Sequence, residues 1–173
     1  MTAARLCSLQ HDLGHRRIGV IAGPSYASSA RQRVEGYRQA MEEAELPVHP
    51  DWVRESSFGI DAGAVIGAEL MALSDRPTAI FAVNDNTAIG ALSAISRLGL
   101  SVPEDVSLVG YNDIPIVSLL PTPLTTVRVP FDQIARSALD LLAGGESALD
   151  QPVRKHTPTL IPRRSTRPAG IPA

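Results

Sequence analysis

The stretch Ala79-Ile-Phe-Ala-Val-Asn-Asp-Asn-Thr-Ala-Ile-Gly-Ala-Leu92 limits the fold more than any other part of the chain. Residues 79–83 form an apolar run with the length and content of a strand buried on both faces, as in a parallel sheet. Asn84 or Asp85 then offers a side-chain oxygen to the unpaired N–H groups of a first helical turn. Ala88, Ile89, Leu92 and Ile95 follow at the spacing of a helix face turned to a core. Strand, polar corner and helix in this order make one unit of an α/β fold, and the corner lies where open parallel sheets bind ligands. Capping alone would account equally well for Asn84 and Asp85, so the ends of the other strands decide the matter.

Three further strands end in the same way. Residues 17–22 run into Gly23-Pro24-Ser25, residues 51–55 into Ser56-Ser57-Phe58-Gly59, and residues 106–110 into Tyr111-Asn112-Asp113. Helices are expected between them: one from Ser28 or Ser29, either of which can cap it, to about Ala44, and one from Asp61 to Leu73. If the strands are parallel neighbours, Ser25, Phe58, Asn84, Asp85, Asn112 and Asp113 share one sheet edge. Phe58 there suits either stacking on a sugar or base ring or plugging the core. Arg33 falls in the first turns of its helix, where a cation is disfavoured unless something offsets it. The fold class is therefore α/β, a parallel sheet flanked by helices.

Several chemistries lack support. No Gly-Lys-Ser/Thr follows Gly23, and Gly19 and Gly23 do not make a dinucleotide fingerprint. His11 and His15 are four apart but straddle Gly14, a left-handed helix stop, and have no acidic or cysteine neighbours of ligand spacing; they read as surface histidines, and no metal or cofactor is expected. Lone Cys7 fits a small buried side chain. No catalytic residue is assigned: an enzyme using Asp85 and Asp113 as an acid/base pair has only the proximity of two strand ends behind it. A formal charge of -2 gives no general attraction to nucleic acid. With no membrane-length apolar run and no leader-like start, the expected location is the cytoplasm.

Beyond the sheet, Leu124 to Val129 is β-rich, residues 131–143 form an amphipathic helix stopped by Gly144-Gly145, residues 153–161 make a last strand, and the tail with Arg163, Arg164 and Arg167 is expected to be solvated.

In order along the chain, Leu13-Gly-His-Arg-Arg-Ile-Gly-Val-Ile-Ala-Gly-Pro24, Arg33-Val-Glu-Gly-Tyr37, Pro77-Thr-Ala-Ile-Phe-Ala-Val-Asn-Asp85, Val102-Pro-Glu-Asp-Val-Ser-Leu-Val-Gly-Tyr111 and Pro123-Leu-Thr-Thr-Val127 resemble the lactose/galactose-repressor (LacI/GalR) family of bacterial transcription regulators. The resemblance implies a periplasmic-binding-protein-like, Rossmann-like lobe over residues 1–129. A helix belonging to a second lobe would lie within 130–152, and a return strand and tail within 153–173. It implies a sugar or nucleoside-like effector contacted by Arg33, Phe58 and Asn84, with Asn112 and Ser25 as further cleft residues. It leaves Asp85 with capping as its simplest task. At the fourth corner the family commonly reads Gly-Tyr/Phe-Asp-Asp where this chain has Gly110-Tyr-Asn112-Asp113, so a donor replaces a charge. The helix-turn-helix of the family has no counterpart in the sequence. DNA is therefore expected to be reached only through an N-terminal domain outside it, and the chain alone is expected not to bind operator DNA. A homodimer is expected through the helix from Thr87 and the loop at residues 119–121. Without its lobe, the 131–143 helix is expected to pack back on its own sheet or to join chains. The alternative with the same architecture is the solute-binding protein of a sugar transport system.

Overall fold

The computed structural model describes residues 10–143 and 153–170. Most of the helix expected at residues 3–13, Cys7 and the Gly144-Gly145 stop lie outside them. A helical turn at residues 10–12 ends at Gly14 with φ +85°, in the left-handed conformation expected of it.

Strands β1 (Ile18–Ala22), β2 (Val53–Glu55), β3 (Ala79–Ala82) and β4 (Ser107–Val109) form a parallel sheet in the order β2-β1-β3-β4. β1 and β3 are wholly buried, as their unbroken apolar runs require. β2 is shorter than expected because Pro50–Trp52 forms a 3₁₀ turn before it. Helix α1 (Ser28–Glu43) covers one face: Tyr37, Ala40 and Met41 pack on Val20, Phe81 and Val109. Its N-cap is Ala27, with no side-chain cap, so neither Ser28 nor Ser29 plays the role expected of it. Helices α2 (Ile60–Ala72) and α3 (Asp85–Arg97) cover the other face, with Leu70, Ala88, Ala91 and Ile95 on Ile21, Ile80 and Leu108.

α2 and α3 meet backbone to backbone. A Cβ on Gly90 would collide with the Ile60 carbonyl oxygen and lie 2.7 Å from the Ala64 nitrogen, and one on Gly67 would lie 2.8 Å from Ala91 Cα. Only glycine permits that approach.

β5 (Thr126–Arg128) pairs antiparallel with β6 (Thr159–Ile161), so the last strand is shorter than residues 153–161. The β5 segment runs beside the end of β4 and the corner after it, through parallel bridges from Val109 to Thr125 and from Asn112 to Arg128. The tail after β6 is solvated only in part: Arg164 is exposed as expected, whereas Arg163 and Arg167 are half-buried. Ser165 is buried and its backbone and hydroxyl bond Leu108 at 2.8 and 2.6 Å, while Arg163 reaches the Leu124 carbonyl at 2.8 Å. His15 is not a surface histidine. It is 3% exposed, with Nδ1 at 3.0 Å from Thr78 Oγ1 and Nε2 at 3.1 Å from Ser107 Oγ and 3.0 Å from the Arg167 carbonyl. The ring thus joins the chain start, β4 and the tail, and burial lowers its pKa.

Helix α4 (Phe131–Ala143) appears over the expected residues, but none of them is buried. It does not pack back on the sheet. Its described contacts are with the segment before β6: Ser137 Oγ lies 2.9 Å from His156 Nε2, and Asp140 pairs with Arg154 at 3.2 Å.

Candidate functional site

The chain steps from β1 outward to β2, then crosses back to β3. The switch between neighbours therefore falls at the C-terminal ends of β1 and β3, where such sheets open a crevice. All four corners lie along this one edge, in the spatial order Phe58, Ser25, Asn84, Asn112.

Arg33 spans the crevice from α1. Its Nη1 donates to the Val83 carbonyl at 2.7 Å, and its guanidinium carbon sits 3.9 Å from the centre of the Tyr111 ring. These contacts supply the offset that a cation near a helix start needs. Burial lowers its pKa, opposed by Tyr111 and Asp85, and a guanidinium stays charged regardless. Tyr111 was legible only as one corner residue. The aromatic directly after Gly110 was its available signal.

Asn84 caps α3: Oδ1 accepts from the Thr87 N–H at 2.8 Å and the Thr87 hydroxyl donates to the Asn84 carbonyl at 2.9 Å. Its Nδ2 donates to the Phe58 carbonyl at 3.1 Å, which fastens the β2 corner to the β3 corner. The half-buried Phe58 ring lies over Gly23, where a Cβ would stand 2.6 Å from Cε1. Arg33, Phe58 and Asn84 therefore belong to one cluster around the switch point. Ser25 is exposed on the far side of β1, in a separate recess of about 380 Å³ shared with Arg31 and Glu55. Asn112 borders a cleft of about 570 Å³ between its corner and the start of α4. Its side chain makes no hydrogen bond to the described residues.

Asp85 is not the cap. It is fully buried, with Oδ1 accepting from the Thr126 hydroxyl at 2.6 Å and Oδ2 from the Ile114 N–H at 2.9 Å. Burial raises its pKa, and the two hydrogen bonds only partly offset it. Asp113 moves the other way: burial would raise its pKa, but Arg163 at 2.6 Å and Arg128 at 2.7 Å outweigh that and lower it. The two values are driven apart, as an acid/base pair would need, yet both carboxylates are engaged by the protein itself. Among the described residues there is no group of three or more metal-ligating side chains, and no helix is long and apolar enough to cross a membrane.

Residues 9–166 match the family model of the periplasmic binding protein-like domain. The HTH-type transcriptional repressor PurR of Haemophilus influenzae is 38% identical over 161 residues, covering 90% of this chain and 48% of the repressor. The ribose operon repressor of the same species is 39% identical over 131 residues, 76% of this chain and 40% of that protein. The chain thus spans about half the length of the curated relatives it matches. Among solved structures, the lac repressor dimer bound to operator and the anti-inducer ONPF superposes with a TM-score of 0.87 at 28% identity, over 95% of this chain and 57% of that one. The ordered motifs, the β2-β1-β3-β4 sheet and these matches agree: the chain belongs to the periplasmic-binding-protein-like domain family, in the form that LacI/GalR regulators use as their effector-binding domain.

Proposed function

We propose that this chain is the ligand-sensing part of a bacterial transcriptional regulator, in which a small sugar or sugar-like molecule in the cleft controls operator binding by a separate DNA-binding domain. The observation that carries the reading is the cluster at the switch point. Arg33 is held between the Val83 carbonyl and the Tyr111 ring, and the capping amide of Asn84, next to Val83, bonds the Phe58 carbonyl. Further guanidinium N–H groups remain for hydroxyl or carbonyl oxygens of a ligand, and the Phe58 ring suits the apolar face of a sugar or base. In this reading residues 1–129 form the C-terminal lobe, α4 belongs to a second lobe, and β5 and β6 connect the two. The lack of any buried residue in α4 supports that assignment.

The test is calorimetric and thermal-shift titration of the chain with a panel of pentoses, hexoses and nucleosides, repeated on Arg33→Ala. A stabilising ligand whose effect falls at least tenfold in the variant supports the reading. Equal stabilisation of both removes Arg33 from the site. In the intact gene product, that ligand should change operator affinity. Dimerisation through α3 and the loop at residues 119–121 belongs to the same proposal. Leu119, 76% exposed, and Leu98, 52% exposed, present apolar surface there. Leu119→Glu should shift the sedimentation equilibrium toward monomer, and an unchanged mass would rule that surface out.

A further inference from the structure

The corner after β4 is the one place along the ligand edge where the backbone is forced. Asn112 has φ +121° and Asp113 φ +59°, two consecutive non-glycine residues in a region that L side chains rarely adopt. Asn and Asp tolerate it best, but two in succession persist only where surrounding contacts hold them. Those contacts come from β5 and from the segment that follows β6. The Asn112 N–H donates to the Val127 carbonyl at 2.9 Å, next to Arg128 of β5. The Asp113 carboxylate, 5% exposed, receives Arg128 Nε on one oxygen and Arg163 Nη2 on the other. Arg163 lies two residues beyond the end of β6 and is itself fixed, with Nη1 on the Leu124 carbonyl and its backbone N–H on Thr125 Oγ1 at 2.9 Å. Its side chain is 15% exposed against 59% for Arg128, so the Arg163 arm is the better shielded and stronger of the two.

The geometry points to Asp113 as a positioning residue: clamped by Arg163 and Arg128, it holds the left-handed corner that sets Asn112 on the cleft and ties that corner to β5 and to the segment that follows β6. A ligand drawn to Asn112 therefore acts on a corner already fastened to the outgoing strand and to the segment after the returning one. The ligand contact of Asn112 rests on the proposed function; the clamp itself does not.

Amide hydrogen exchange on the full chain, followed by NMR, tests the clamp without any ligand. Asp113→Asn keeps a side chain that suits the left-handed region and removes the charge, and Arg163→Gln removes the partner. Each should speed exchange of the Asn112 and Val129 amides about tenfold or more while the Ile80 and Phe81 amides of β3 change less than threefold. The double variant should resemble the single ones rather than multiply their effects. Corner amides that keep their protection, or that speed up only in step with β3, would overturn the assignment and leave Asp113 an ordinary stabilising residue. In parallel, D-ribose and adenosine are titrated at millimolar concentration into the unaltered chain and Asn112→Ala. An equal response there removes the ligand contact of Asn112, while the exchange result alone decides the role of Asp113.

Discussion

Replacing Asp85 separates the value of its hydrogen bonds from the cost of its charge. Its carboxylate lies beside Gly110, where a Cβ would collide with Oδ1, and it satisfies the Thr126 hydroxyl and the Ile114 N–H. Asp85→Ala leaves both donors without that partner. The Thr126 hydroxyl is fully buried and the Ile114 N–H partly so. An orphaned buried donor costs about 1–3 kcal/mol. Removing the buried charge returns part of this, and a net loss of about 3 kcal/mol is expected, or about 6–12 °C in Tm for a chain of this size. Asp85→Asn can keep both contacts: Oδ1 accepts from Ile114, Nδ2 donates to Thr126 Oγ1, and the hydroxyl turns round. It should lie within about 1 kcal/mol of the unaltered chain. Urea unfolding at pH 7 measures both. The pH dependence gives a second check. Because burial raises the folded pKa of Asp85, the folded state takes up its proton first as pH falls, so acidification between that raised value and the ordinary carboxylate value of about 4 favours folding at this site. Asp85→Asn should remove that contribution. If Asn were as damaging as Ala at pH 7, the charge itself would be holding the corner and the hydrogen-bond argument would fail.

Gly90→Ala places a methyl group in the Ile60 carbonyl and should destabilise the chain by about 3 kcal/mol or more, whereas Gly67→Ala, against Ala91, should cost less; comparable midpoints in urea would refute close backbone packing of α2 on α3. His15, with a folded pKa lowered by burial, binds its proton more readily when unfolded. Stability should therefore be full above about pH 6.5 and fall as pH drops from there toward the folded pKa. His15→Asn should flatten that part of the pH profile, and an unchanged slope would assign it to other groups.

The layered architecture was legible because β1, β3 and β4 are largely apolar runs that break on polar corners, β2 being the exception with Arg54 and Glu55, and because the helix faces repeat at the right spacing. Element ends slipped where local contacts outrank pattern. The Pro50–Trp52 turn shortened β2, and Ala27 capped α1 although two serines follow it. His15 and Arg163 were misplaced for one reason. Their partners lie far off in sequence: Ser107, the Arg167 carbonyl and Asp113 for a histidine beside a glycine stop and an arginine in a proline-rich tail. Hydropathy along the chain carries no trace of such pairings. α4 shows the converse, since its amphipathic period is plain in the sequence while the surface it would cover is not.

The corners also show that a row of polar residues at strand ends is not a row of ligand contacts. Asp85 and Asp113 look alike in the sequence, each the residue after an asparagine at the end of a buried strand. One carboxylate is enclosed and answers two neutral donors, and its pKa rises. The other faces two guanidinium groups, and its pKa falls. Both serve to fasten the segments around β4, which leaves the asparagines and Arg33 nearer the crevice. Of those, Asn84 already has both ends of its amide engaged, Oδ1 in capping α3 and Nδ2 in joining its corner to that of Phe58, whereas Asn112 makes no side-chain hydrogen bond to the described residues and Arg33 retains donors. Under the proposed function, the recognition chemistry that remains is an uncharged amide, donor and acceptor alike, at Asn112 and a cationic donor at Arg33. That combination favours a ligand presenting hydroxyl or carbonyl oxygens over one presenting a cation.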